Sequence, residues 1–358
     1  MLRAIIIGIL SISSLGTIAQ TQPMYVGTYT SNGSKGVYKY DFDQNTGKFT
    51  FLNAIEMSNP SFLARKGDFL YAVNEEQNGT ITAVDLISQE ILNNKTTDGG
   101  APCHVSVSPK DPLLVISNYS GGSLIMYSLK PDGSLDKKED FIQFENSSID
   151  KSRQEKSHIH SAFFSSDGKS LFVSDLGGDV IYKIAVNKNG SDYSFNIVDE
   201  IKVKTGGGPR HLSLNEKGNF LYSVLEMTGE IEVLELVNNK WISKQILPIH
   251  NSGFNGEHGA GDIKMTKDGK FLYATNRGES NELVVYEVKK NGLLEIKQVL
   301  SVEGDSPRNL QLSPNEKWLI VANQKSGNLS LFKRNTKNGE VMELVSKELI
   351  PSSVCVIF

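Results

Sequence analysis

Residues 101–129, APCHVSVSPKDPLLVISNYSGGSLIMYSL, set out one structural unit. Pro102 opens an alternating run, SPKD makes a polar turn, LLVISN returns to an Asn, and a third run begins after SGG. Alternation with period 2, broken by turn residues about every 8 to 12 positions, describes antiparallel strands rather than helices.

The same phrase recurs along the chain. It appears at 59–86 (NPSFLARKGDFLYAVNEEQNGTITAVDL) and again at 158–186, 208–236, 260–288 and 306–334. Aligning the first strands gives anchors at Pro60, Pro102, Ile159, Pro209, Ala260 and Pro307, with Pro351 as a seventh. Their spacing averages about 48 residues, and a repeat of roughly 40–50 residues holding four short strands is one β-propeller blade. Seven anchors predict an all-β, seven-bladed β-propeller. The ends are complementary: 351–358 (PSSVCVIF) matches a first strand alone, and 24–42 (MYVGTYTSNGSKGVYKYDF) matches second and third strands alone. The closing blade is therefore expected to join the N-terminal strands to the C-terminal strand, leaving no free edge.

Composition agrees with a packed β-fold. The 358 residues are 39% hydrophobic and 22% charged, with only 2 Cys, which excludes a disordered chain and a disulfide scaffold. A net charge of −4 and the lack of any basic block interleaved with aromatics exclude a general nucleic-acid binder. A closed propeller is expected to be a monomer. At the N-terminus, Arg3, the apolar run 4–10 (AIIIGIL) and Thr17-Ile18-Ala19 read as a signal peptide over 1–19. Serines at 11, 13 and 14 leave that run too short to span a bilayer. The expectation is a single propeller domain over 20–358, periplasmic or secreted, with no membrane association after cleavage.

Because the blades repeat, they can be stacked to find residues sharing one mouth of the channel. The second strand returns along the first, so its end lies beside the first strand's start. Strand starts read Ser61, Cys103, His160, Arg210, Gly261, Arg308 and Ser352; strand ends read Glu75, Tyr119, Leu176, Glu226, Arg277, Gln324 and Tyr29. Before the latter stands an Asn-rich series (Asn74, Asn118, Asn276, Asn323), which strand termination alone explains. His160, Arg210, Glu226 and Arg277 are different, because a blade repeat does not require them and they converge on blades 4 to 6. Arg308 in blade 7 extends the sector. An imidazole, a carboxylate and guanidinium groups at one concave mouth are what proton or acyl transfer on an anionic substrate requires. Solvated rim charges in mutual salt bridges are the alternative.

The motifs SHIHSAFFSSDGKSLFVSDLGGD (157–179), GGGPRHLSLNEKGNFLYSVLE (206–226), DIKMTKDGKFLYATNRG (262–278) and SPRNLQLSPNEKWLIVANQKSGN (306–328) resemble the seven-bladed propeller lactonase family. That family includes bacterial 6-phosphogluconolactonases and the fungal carboxymuconate lactonizing enzyme. The resemblance covers the chain from MYVGTYT to PSSVCVIF. It implies that His160, Arg210 in GPRH, Glu226 and Arg277 in TNRG are catalytic, with a small-molecule sugar lactone as substrate. Arg308, Asp175, Glu75 and His258 are candidate substrate contacts on the same rim. Glu226 follows Val224-Leu225 where the family commonly has an Asn-Glu pair, so a less rigidly held carboxylate is expected.

For lactone hydrolysis, no Ser stands in a G-x-S-x-G elbow, which disfavours an acyl-enzyme. Glu226, flanked by arginines, is expected to stay ionised. His160, with an ordinary pKa of about 6.5, is then the general base or acid. Arg210 and Arg277 would hold an anionic group or the oxyanion. No cofactor and no metal are expected, since rim carboxylates Glu75, Asp175, Glu226 and Asp262 are spread over several blades. A muconate-type lactonizing cycloisomerase on the same residues and a non-catalytic ligand-binding propeller remain open. Residues 139–156 and 250–261 are loops that could cover the mouth, while His104, His211, Trp241 and Trp318 are expected to pack between blades.

Overall fold

The computed structural model describes residues 21–358, so the expected signal peptide lies outside the described residues. Twenty-eight strands form seven four-stranded antiparallel sheets, and no helix occurs among the described residues. The inner strands are Ser353–Ile357 in blade 1, Leu63–Lys66 in blade 2 and Pro102–Val107 in blade 3. Blades 4 to 7 begin with Ile159–Phe164, Pro209–Leu214, Ala260–Met265 and Pro307–Leu312. Blade 1 closes the ring as the repeat predicts, with Ser353–Ile357 paired to Thr21–Thr28, then Gly36–Asp43 and Phe49–Glu56.

The stacking of strand starts on strand ends recurs in all seven blades. The backbone N–H of Tyr29, Glu75, Tyr119, Leu176, Glu226, Arg277 and Gln324 each donates to the carbonyl just before its own inner strand, at Ser352, Asn59, Ala101, His158, Gly208, Gly259 and Ser306. Those carbonyls sit on tight turns; Asn59, Ala101, Gly208, Ser306 and Ser352 all have positive φ. The Asn series serves these turns, as Asn74 Nδ2 donates to Ser58 O and Asn276 Oδ1 accepts from Gly259 N.

Apolar burial is divided among seven clusters, one at each blade interface. The packing therefore leaves the channel free for polar side chains. Second-strand residues also clip blades together at four of the seven interfaces: Tyr71, Tyr222 and Tyr273 donate to Gly133, Gly292 and Gly339 carbonyls, and Trp318 Nε1 donates to Gln44 O. Trp318 thereby bridges blades 7 and 1, and Trp241 meets Phe172 edge-on between blades 5 and 4. The histidines differ from their expected inter-blade packing. His104 and His211, from blades 3 and 5, face each other in the channel at 5.5 Å between ring centres.

Candidate functional site

The site is aimed by a backbone irregularity. In blades 3, 4 and 7 the register with the second strand slips by one residue at Cys103, His160 and Arg308; in blades 5 and 6 it slips over Arg210-His211 and Gly261-Asp262. A bulged residue leaves the ladder and turns its side chain away from the sheet direction. Here the turn is toward the axis. At Gly261 a Cβ would collide with Pro307 O of the next blade, and the Gly261 carbonyl accepts from Arg210 Nη1.

Glu226 is the hub. Its Oε2 lies 3.0 Å from Arg210 Nε and 2.9 Å from Arg277 Nη2, and His160 Nε2 is 3.8 Å away. Arg210 Nε is not well aligned for a hydrogen bond, so that contact is an ion pair. Arg277 is anchored by its own strand end, Nε donating to Gly259 O at 2.8 Å and Nη2 to Ala260 O at 3.2 Å. The loosely held carboxylate expected from Val224-Leu225 is thus corrected, because cations from blades 5 and 6 and from the insertion before blade 4 fix it in place of a neighbouring Asn. The third is Arg153, whose Nη2 lies 2.6 Å from Glu226 Oε1 and 3.2 Å from Tyr119 OH.

Arg153 was not among the expected site residues. It lies in the 139–156 stretch, within a compact turn where Asp150 Oδ1 accepts from Ser152 N and Arg153 N. Buried Gln154 fastens the turn, donating to Leu176 O and Asp179 Oδ1. Only a polar insertion was visible in the sequence. No repeat position identifies an arginine outside the repeat.

A second group occupies the far side of the mouth. Tyr29 OH donates to Glu75 Oε2 at 2.7 Å, Ser61 Oγ donates to the same oxygen, and Arg308 Nη2 donates to Tyr29 OH at 2.9 Å. Glu75 and Arg308 therefore face the channel together but belong to a different cluster from Glu226. Asp175 belongs to neither. It is fully buried, accepting from Ser157 Oγ, His158 N and Gly178 N, and it organises the entrance to blade 4. His258 lines the cleft wall beside Gly229, with its ring against His250 and Phe254.

The electrostatics follow from this geometry. Burial disfavours the Glu226 carboxylate, but Arg277, Arg210 and Arg153 outweigh it and hold the group well below the usual carboxylate range. His160 is corrected from its expected ordinary value: burial, then Arg210, His211, Arg308 and Arg277, push it well below 6.5 and keep it neutral. Its Nδ1 side faces Cys103 Sγ at 4.0 Å, while the thiol donates to His160 O at 3.2 Å. Burial and the other arginines lower Arg210 to about 10.

Beneath Arg210 lies a buried polar layer. His211 Nδ1 donates to Asp262 Oδ1 at 2.7 Å, and Asp262 Oδ2 accepts from Asn309 Nδ2 at 2.6 Å. Asp262 is therefore no rim carboxylate; it is inaccessible to solvent inside the channel. Burial and then Arg210 push His211 down to about 4. The cleft above has a volume of about 380 Å³ and is walled by Arg153, Glu226, His258, Arg277 and Lys325, among others. Larger surface cavities lie at the opposite end, around the first-to-second strand turns, away from every cluster described above. Among the described residues no group of three or more His, Cys, Asp or Glu is placed to hold a metal ion.

A family model described as "Lactonase, 7-bladed beta-propeller" matches residues 23–358. A protein of Formosa agariphila named 6-phosphogluconolactonase is 32% identical over 346 residues, covering 92% of this chain and 97% of the relative. One of Bacillus subtilis with the same name is 30% identical, covering 93% and 97%. A Pseudomonas aeruginosa structure described as a periplasmic gluconolactonase superposes with a TM-score of 0.88 at 31% identity, covering 94% and 98%.

Proposed function

The chain belongs to the seven-bladed β-propeller lactonase family, and from that premise we propose that it opens a sugar lactone with a water activated by His160 and Glu226. As a 6-phosphogluconolactonase-like lactonase it is a carboxylic ester hydrolase. The single observation supporting this mechanism is the meeting of His160 Nε2 with Glu226 Oε2 between the Arg210 and Arg277 guanidiniums.

A neutral imidazole can accept a proton from water as it attacks the lactone carbonyl. Glu226, anionic throughout, stabilises the imidazolium that results. Arg277 and Arg210 supply positive charge to the tetrahedral oxyanion without reorganising, because backbone carbonyls already fix them. The protonated His160 then returns its proton to the leaving ring oxygen as the C–O bond breaks. Atoms balance as lactone plus water giving the hydroxy acid. An elevated proton affinity at Glu226 would have suited base catalysis by the carboxylate instead, and its ion pairs oppose that.

The test is acid release from δ-gluconolactone and its 6-phosphate, compared with the spontaneous rate. The parent should accelerate at least one, and His160→Gln should lower kcat about 100-fold, in the range expected for losing a general base. Turnover of neither lactone by the folded parent defeats the sugar-lactonase reading, and a muconolactone substrate in their place would favour the cycloisomerase. Export to the periplasm or medium is proposed from the 1–19 stretch; fractionation that finds an uncleaved chain in the cytoplasm overturns it.

A further inference from the structure

Three guanidiniums surround Glu226, but they are not equivalent. The Arg210 and Arg277 side chains are 2% and 14% exposed, and each has backbone carbonyl partners. The Arg153 side chain is 44% exposed, and among the described residues its polar partners are Glu226 Oε1 and Tyr119 OH. Its turn is held from below, but no backbone carbonyl among the described residues accepts from its guanidinium. The guanidinium is half open to solvent, so an incoming anion can reach it and compete with Glu226 for its N–H groups.

The cleft also holds more positive charge than Glu226 neutralises. Arg153, Arg277 and Lys325 line it, against Glu226 and Asp150. Asp150 is committed to its own turn, accepting from Ser152 N, Ser152 Oγ and Arg153 N through one oxygen. Lys325 makes no ion pair among the described residues. With Arg210 and Arg277 assigned to the oxyanion, the two cations left over, Arg153 and Lys325, are exposed.

We infer that Arg153 is the specificity-determining residue of this lactonase, receiving an anionic substituent carried by the lactone away from its ester. The guanidinium that rests on Glu226 transfers to the substrate anion on binding, and Lys325 adds charge from the same cleft. The transfer does two things at once. It recognises a phosphoryl or carboxylate group by a charge-assisted pair of hydrogen bonds, and it frees Glu226 Oε1 to face the reacting centre. The placement is built rather than accidental, because Gln154 next to Arg153 is fully buried and pinned to Asp179. The inference rests on the lactonase reading above, and the test separates them.

The experiment compares the parent with Arg153→Met on δ-gluconolactone, its 6-phosphate, and an aldarolactone bearing a carboxylate at the far carbon. Separately, binding of inorganic phosphate is measured by calorimetry. For whichever anionic lactone is the better parent substrate, Arg153→Met should lower its kcat/KM relative to the plain lactone about 30-fold, equivalent to ~2 kcal/mol, mainly through KM. Arg153→Lys should recover part of that ratio, and phosphate should bind at least about tenfold more weakly to Arg153→Met than to the parent. An equal loss on plain and anionic lactones overturns the inference, since Arg153 would then act only on Glu226. Unchanged phosphate affinity in Arg153→Met also overturns it, even if no lactone is turned over and the lactonase reading has failed.

Discussion

The side-chain amide of Gln154 donates to Asp179 Oδ1 at 2.8 Å, and that contact joins the turn carrying Arg153 to the turn carrying Arg210. Asp179 is the common post: Ser148 Oγ and Gly206 N donate to its Oδ2, and Gly208 N donates to its Oδ1. Gly208 has φ of +66° and precedes Pro209-Arg210 directly. One buried carboxylate thus sets the position of two arginines on opposite sides of Glu226. Asp179→Ala should therefore lower lactone kcat/KM by about tenfold or more and also lower the melting temperature, since several donors lose their partner. Parental kinetics in a folded Asp179→Ala protein would show that the two turns hold themselves.

His160 gives a pH dependence with a definite sign. Its proton affinity is held well below the ordinary value by burial and by Arg210, His211, Arg308 and Arg277, against the Glu226 carboxylate 3.8 Å away. The base form is therefore already present at neutral pH, and kcat/KM should be level from about pH 6.5 upward, falling only in more acidic solution. Removing a positive neighbour makes protonation easier, so Arg308→Met should move that acid limb upward. An acid limb in the parent at or above pH 6.5 would show that His160 is not the base.

Stability should fall over the same acid range for a related reason. His104, His160 and His211 are all buried and neutral, with folded-state affinities depressed below the unfolded value of about 6.5. The unfolded chain takes up protons first as pH drops, so stability is intact above about pH 6.5 and is lost as pH falls toward the folded values. His211, lowered to about 4, adds to that loss in the same direction. Urea midpoints measured from pH 7 to pH 4.5 should decline, and a flat profile would contradict the buried histidine layer.

Closure of blade 1 makes a sharper structural claim. Val354, Cys355 and Val356 are buried, and Val26 pairs with Val356 across the seam between chain ends. Deleting Pro351–Phe358 exposes the edge of Thr21–Thr28 and removes apolar packing against blades 7 and 2. Insoluble protein or a large drop in melting temperature is the expected result. A soluble truncation that melts with the parent would mean the ring is held elsewhere.

How much of this was legible beforehand depended on repetition. Turn-strand-turn phrases recur in every blade, so the seven anchors, the seam and the ring containing His160, Arg210, Glu226 and Arg277 could be stacked from residues alone. Residues whose roles come from single contacts could not. Arg153 reaches Glu226 from an insertion that no other blade shares. Asp175 and Asp262 occupy plausible ring positions, yet one bonds the entrance of blade 4 and the other is sealed against His211. Burial also changes the expected behaviour of the site. Arg210 and Glu226 are 2% and 8% exposed, not solvated rim groups, so Glu226→Ala should cost stability as well as turnover by leaving arginines unpaired.

Glu226 is the carboxylate that meets His160, and a divalent ion there would face Arg153, Arg210 and Arg277 within ion-pair distance of its ligand. Unlike charges at such range favour the guanidiniums already present, and repulsion between them and a cation opposes its entry into a partly dry cleft. Calcium would need about six to eight oxygen ligands, but Glu75 is engaged by Tyr29 and Ser61 across the mouth. The thiols are no substitute: Cys103 and Cys355 are both buried and unpaired, on inner strands separated by blade 2, and burial raises the proton affinity of each. Lactone turnover should therefore survive exhaustive dialysis against EDTA. Two thiols per chain should titrate after denaturation in the absence of reductant. A loss of rate that Ca²⁺ or Zn²⁺ restores would make Glu226 a metal ligand and displace the arginine-centred mechanism.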